Sequence, residues 1–338
     1  MQKRILAKRV LAGIAAGLLS ASLLVGCGGG SGGGSGAPKS DPPKAAALAK
    51  PARAAVATAP TMTFKFGNEE AKVYELTGID LKKKIRTGKI VKMGDDIFFH
   101  TDSNEEEQKS HIHKVTVKGE TISDLVDLGM RGDIDELATN GKTVIWQTNR
   151  KETEKDKIAV YDGKERTIGG KWPGSVMGDP ETGEFVVVRG TLIKTAKLEN
   201  GEMKDVKTII QDYRKTFPEF NMAILKPVCV DKGEMYLRTF LKKEGEKNTT
   251  PYLVVFDKEG KELRRYEGVK ELPRGWAVTE NYVIHTGSKG DIRVFDKKSG
   301  KVLGDAKIEM RPFELWTATG NDVIVYDDRA DKLYRIDF

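Results

Sequence analysis

Residues 291–304 read DIRVFDKKSGKVLG, a β-rich run, a polar turn and a second run. Residues 252–266, YLVVFDKEGKELRRY, say nearly the same thing about forty positions earlier. Each is a hairpin. Gly260 and Gly300 can supply the positive φ of a tight turn, and neighbouring Asp and Lys solvate its tip. On this reading Asp296, Lys297 and Lys298 are turn residues.

Two similar hairpins suggest a period. Six β-rich runs, each after a polar turn, recur along the chain: DIFFH from Asp96, TVIWQ from Thr143, EFVVVR from Glu184, EMYLR from Glu234, NYVIH from Asn281 and DVIVY from Asp322. From Ile97 to Val323 the five steps average about 45 residues, the spacing of a four-stranded propeller blade. A second run follows each first one: 113–117, 157–162, 192–196, 252–257, 292–296 and 332–337. Most then meet a Gly-bearing turn and a last strand. The sixth unit stops one strand short, and AKVYELT (71–77) stands alone before the first. This N-terminal strand is expected to complete the last blade, leaving few exposed edges. The expected fold is all-β, a six-bladed β-propeller over residues 61–338. Helical patterns are scarce; the best is GIDLKKKI (78–85).

The segment before the propeller reads as an address. Lys3, Arg4, Lys8 and Arg9 form a basic region, and VLAGIAAGLLSASLLV (10–25) an apolar one too short for a comfortable membrane span. It ends in Leu24-Val25-Gly26-Cys27, which resembles a bacterial lipobox. The resemblance implies a signal peptide at 1–26, removed before Cys27, and a lipid-modified Cys27 anchored by several acyl chains. Residues 27–60 then form an expected Gly/Ser/Ala/Pro tether, too poor in apolar surface to fold. Gly28, Gly30 and Gly33 satisfy G-x-G-x-x-G, but no strand precedes and no helix follows, so a dinucleotide reading fails.

Charge and cysteine agree with export. The chain carries 57 basic and 50 acidic residues, a net +7. Residues 1–60 hold eight of the basic ones and one acid, so residues 61–338 keep 49 of each sign and are formally neutral. The basic excess belongs to leader and tether, and nucleic-acid binding loses its main support. Of two cysteines, only Cys229 remains for the domain, in the apolar run ILKPVCV, where it reads as a buried small hydrophobe.

RVFDKKSGKVL is similar to the repeats of quinoprotein-type and YVTN-type propellers, in which an apolar strand runs into Asp-x-x-x-Gly-Lys. The broad plan also resembles the propeller lipoprotein of the outer-membrane β-barrel assembly machine. The resemblance implies a lipidated envelope propeller. It departs in two ways: quinoprotein repeats close on Trp where this chain has Leu303-Gly304, and the assembly lipoprotein has eight blades.

No G-x-S-x-G elbow, H-E-x-x-H or P-loop occurs, and no vicinal cysteine pair supports a quinone; no cofactor is expected. His100, His111 and His113 are weak metal candidates, sharing one hairpin with Glu105, Glu106 and Glu107 in its loop. The segments entering the blades are richer. Arg131, Trp172, Phe217, Phe220, Arg274, Trp276, Arg311, Phe313 and Trp316 all fall there, and aromatic and Arg side chains dominate binding hot spots. They form an expected partner-binding mouth.

The expected function is non-catalytic: a monomeric, membrane-anchored envelope propeller, binding or scaffolding a protein, peptide or glycan. Gly28 lacks the Asp associated with inner-membrane retention, which favours the outer membrane in a diderm cell. The alternative is an envelope hydrolase or lyase using Asp133, Asp135 and Glu136 with Arg at the channel.

Overall fold

Strands dominate the structure, a computed structural model that describes residues 55–79, 90–101, 111–118, 121–122, 126–130, 136–150, 154–168, 173–200, 202–220, 223–241, 249–270, 273–311, 317–327 and 329–338. They group as six antiparallel four-stranded blades. The first is Val91–Met93, Asp96–Thr101, His111–Lys118 and Val126–Met130. The second is Leu137–Thr139, Val144–Arg150, Glu154–Tyr161 and Glu165–Ile168. The third is Ser175–Gly178, Phe185–Arg189, Leu192–Glu199 and Glu202–Ile210. The fourth is Lys226–Asp231, Glu234–Leu241, Thr250–Phe256 and Glu262–Glu267. The fifth is Pro273–Val278, Tyr282–Gly287, Asp291–Asp296 and Val302–Lys307. The sixth joins Thr317–Thr319, Asp322–Asp327 and Lys332–Asp337 to Glu69–Thr77, with Ile336 opposite Val73. The expected closing strand is therefore in place.

The apolar runs lack strict alternation because both faces of a blade are buried. Successive side chains of a strand point to opposite faces, and here each face meets another blade. Val283 packs toward the fourth blade and Ile284 toward the sixth; Leu253 and Val254 divide in the same way. The buried apolar residues collect in six clusters, each shared by two consecutive blades. Phe98 and Trp146 join first to second, Ile145 and Phe185 second to third, Val188 and Leu237 third to fourth. Tyr236 and Phe295 join fourth to fifth, Val294 and Val323 fifth to sixth, and Ile324 and Phe99 sixth to first. Six blades in an open row would share five cores. Six shared cores make a ring. Each fully buried Val, Leu, Ile or Phe contributes roughly 1.5–3 kcal/mol, so every seam is held by several such side chains.

The chain before the closing strand adds a feature not expected from the pattern. Strands β1 (Ala55–Val56) and β2 (Met62–Phe66) run along the outer edge of β3 (Glu69–Thr77). β1 also pairs with Thr121–Ile122 of the first blade's outer side, and Val56 is buried in the sixth-to-first core. β2 leans on the fifth blade, where Phe64 and Phe66 enter the fifth-to-sixth core. The described fold thus reaches into the stretch expected to be tether (27–60), because Val56 finds apolar partners on both sides of the sixth-to-first seam. GIDLKKKI lies largely outside the described residues.

This strap explains the departure at Leu303-Gly304. A Cβ on Gly304 would lie 2.4 Å from the Gly67 nitrogen and 2.9 Å from the Phe66 carbonyl carbon. A Trp has no room there. The repeated Asp has a local task as well: Asp257 Oδ1 accepts from the backbone N–H groups of Glu259 and Lys261, and Asp296 Oδ1 from that of Ser299. Gly260 and Gly300 have φ of 83° and 74°, as the turn reading requires.

Candidate functional site

The inner strands converge on a central channel. Its cavity, about 670 Å³, is walled by inner-strand residues of five blades, among them Leu137, Val176, Val228 and Ala277, with Gly320 from the sixth. Convergence demands small side chains: a Cβ on Gly178 of the third blade would lie 1.9 Å from the Thr139 carbonyl oxygen of the second. The size matches ordinary ligand pockets of about 300–1,000 Å³. Cys229 lines this wall half-buried, so it is more accessible than the sequence suggested.

One end of the channel opens among the turns joining the first and second strands of each blade, here the hairpin side. Lys92, Lys142 and Lys232 stand at this rim with Asp231 and Glu280. Three of the turns hold two residues between paired strand ends: Gly94-Asp95, Lys232-Gly233 and Gly320-Asn321. The first position has φ of 61°, 48° and 61°. Two of these left-handed positions are Gly; the fourth blade puts Lys232 there.

Asp231 is neutralised from the fifth blade. Lys297 donates to Asp231 Oδ2 at 2.6 Å, to the Thr279 carbonyl at 2.7 Å and to that of Glu280 at 3.4 Å. Lys297 is only 8% exposed. It is a clamp between blades and not a solvated turn residue, while its own carbonyl accepts from Tyr266 Oη of the fourth blade at 2.5 Å. Beside it, Glu234 receives both Arg264 and the Tyr236 hydroxyl. Burial pushes the Glu234 carboxyl up, but these hydrogen bonds outweigh it and the net pKa is lowered. Burial pushes the Tyr236 hydroxyl far above the usual phenol range, with Glu234 adding to it. The network is charge-balanced and ties two blades together.

The opposite end, the link side, is where the chain passes from each outer strand to the next inner strand. Of the mouth residues expected from sequence, Arg131, Trp172, Phe313 and Trp316 lie outside the described residues, as does Cys27. Phe220 and Trp276 are packing residues and offer no free aromatic surface: both are buried. Phe220 lies under the Arg265 guanidinium at 4.9 Å and meets Phe217 edge-on at 5.8 Å. Trp276 sits 4.1 Å from the His285 ring and stacks toward Phe295 at 6.2 Å. Phe217 is half-buried on the third-to-fourth core, below a single helical turn, Tyr213–Thr216, capped by Asp212. Arg274 is half-buried, its carbonyl accepting from Arg238 at 3.4 Å, and Arg311 is exposed.

Other side chains supply apolar surface on this side. Ile224 is 65% exposed and Phe240 47%. The ladder pairs Lys226 with Arg238 and Pro227 with Leu237. Ile224 lies just before the inner strand of the fourth blade and Phe240 near the link end of its second strand.

The three histidines do not meet. His111 pairs with Thr101 and His113 with Phe99, whereas His100 pairs with Ile112 and so faces the other side of the sheet. The His111 and His113 rings stack at 6.0 Å, and His113 stacks on Phe99 at 5.5 Å. Among the described residues no group of three His, Cys, Asp or Glu is placed to hold a metal; Glu105, Glu106 and Glu107 lie outside them. Of the alternative's acids, Glu136 accepts from Ser175 Oγ at 2.9 Å and the Val176 N–H at 3.2 Å, bridging two blades. Asp133 and Asp135 lie outside the described residues.

No family model matches the chain, and none of the curated proteins matches it. Among solved structures, the chain is similar to BamB from Moraxella catarrhalis, at 13% identity and a TM-score of 0.42, over 85% of this chain and 94% of that one. It is similar to the WD40 β-propeller domain of Doa1, at 14% identity and a TM-score of 0.42, over 83% and 96%.

Proposed function

We propose that this chain is a non-catalytic, lipid-anchored propeller of the cell envelope that binds a protein partner through the link side of its fourth blade. The observation that carries the reading is that Ile224 and Phe240, two large apolar side chains at the link end of the fourth blade, are left in solvent. Arg238 and Arg274 lie close by, joined through the Arg274 carbonyl. Apolar anchors beside Arg are the usual composition of interface centres. The basic region, apolar run and Leu24-Val25-Gly26-Cys27 support the anchor and the envelope, with the outer membrane favoured by Gly28.

The test places a photo-reactive amino acid at Phe240 in intact cells. One discrete adduct, lost when Ile224→Asp is added, is the expected result. The reading fails if Phe240 gives no adduct, or only those given by Val302, an exposed control on the fifth blade's outer strand. Loss of acyl labelling in Cys27→Ser checks the anchor separately.

A further inference from the structure

We infer that the hairpin-side mouth of the central channel is a second docking site, one that takes an acidic segment of a protein partner with an apolar side chain at its tip. It lies at the opposite end of the channel from Ile224 and Phe240 and does not depend on them.

Charge sets the sign of the ligand. Asp231 is matched by Lys297 at 2.6 Å, so its charge is already answered within the fold. Lys92 is shared with Asp322 of the sixth blade, which leaves Lys142 and Lys232 against Glu280 around the opening, with Asp95 exposed on the first blade's turn. Neither Lys142 nor Lys232 forms a salt bridge among the described residues. Lysines that converge on a concave, low-dielectric mouth raise the local concentration of anions.

Backbone conformation makes one of them unusual. Lys232 occupies the left-handed position that its counterparts fill with Gly94 and Gly320, at φ 48° against 61° and 61°. A residue with a Cβ is disfavoured there, and Asn, Asp or Gly are the ordinary occupants. The fold therefore holds a strained cation where the channel opens. Lys232 also borders the groove between the fourth and fifth blades, so its ammonium can reach a segment lying across the rim.

The walls set the tip. Below the rim the cavity wall presents Val228, Cys229 and Val278, each part-exposed, which favour an aliphatic or aromatic side chain over a polar one. Carboxylates flanking that side chain would then meet the lysines.

Cys229 on the wall supplies a reporter. In the full chain carrying Cys27→Ser it is the sole thiol, and neutral methyl methanethiosulfonate modifies it at a rate that mass spectrometry follows. The probes are acetyl-Glu-Leu-Asp-Leu-Glu-amide and its Lys-Leu-Lys-Leu-Lys counterpart. At about ten times its Kd the acidic peptide is expected to slow modification about tenfold, less as salt rises. The protection should vanish in Lys92→Gln/Lys142→Gln/Lys232→Gln and weaken in Lys232→Gly, a variant that suits the left-handed position and guards against misfolding. The inference is overturned if Cys229 is unreactive, if the acidic peptide gives no protection, if the basic peptide protects equally, or if the triple variant is still protected. None of these outcomes bears on the Phe240 adduct, so this site and the link-side reading stand or fall apart.

Discussion

Replacing Lys297 by Met tests whether the turn of the defining hairpin is a clamp. Met keeps the aliphatic stem and removes the ammonium. Two costs follow. The Thr279 carbonyl, in a residue 2% exposed, loses its 2.7 Å donor, and an unsatisfied buried acceptor costs about 1–3 kcal/mol. Asp231 loses its partner, but its side chain is 34% exposed and regains water, so that part is worth at most about 1 kcal/mol. The sum is about 1–4 kcal/mol, or about 2–12 °C in Tm for a domain of this size at about 2–3 °C per kcal/mol. Urea titration of Lys297→Met, Asp231→Asn and the double variant provides the assay. The expected pattern is a large loss for Lys297→Met, a small one for Asp231→Asn, and a coupling of about 1 kcal/mol or less. A loss below about 0.5 kcal/mol for Lys297→Met would refute the clamp. So would an equal loss for Asp231→Asn, since the carbonyl is meant to dominate.

Two further perturbations probe other seams. His285 is fully buried, its Nδ1 accepts from the Val269 N–H at 2.9 Å, and burial, with Arg293 and Arg238 nearby, lowers its pKa to about 3. The unfolded chain binds the proton at about 6.5 and the folded one does not, so stability is full above pH 6.5 and falls toward pH 3, by roughly 1.4 kcal/mol per unit; denaturant titrations across that window should show a shallower slope for His285→Phe. In Gly304→Val the new Cβ meets the backbone of Gly67 and Phe66, so β2 must lift; a loss of about 1–3 kcal/mol and faster amide exchange at Met62–Phe66 are expected, and unchanged exchange there would sink the strap.

The ring was legible because its information is repeated. Each blade carries the same run, turn and run, and β3 was conspicuous because it stood unpaired before the first unit. The strap was not legible: Ala55–Val56 is two residues inside an Ala/Pro-rich stretch, and its partners lie on blades distant in sequence. Side-chain exposure was also hidden. Trp276 and Phe220 looked like surface aromatics because they sit in links, yet links that enter a blade also wedge its core. Ile224 and Phe240 carried no signal of exposure, since they lie in or beside apolar runs that otherwise feed the core. Lys232 reads as one more polar turn residue in DKG, and only its φ distinguishes it. For Lys297 the sequence carries charge and turn position but not the neighbouring blade that supplies Asp231 and, through the ring, the buried site.

Ring closure by the N-terminal strand is tested most directly by a disulfide between Lys72→Cys and Asp337→Cys, which the register sets opposite each other on β3 and the last strand. In a background with Cys27→Ser and Cys229→Ser, mild oxidation should give an intramolecular bond in the monomer. Closing so long a loop should also raise the unfolding free energy by up to roughly 4–5 kcal/mol. Thiols that stay free, or bonds that form only between molecules, would contradict the closed six-bladed ring.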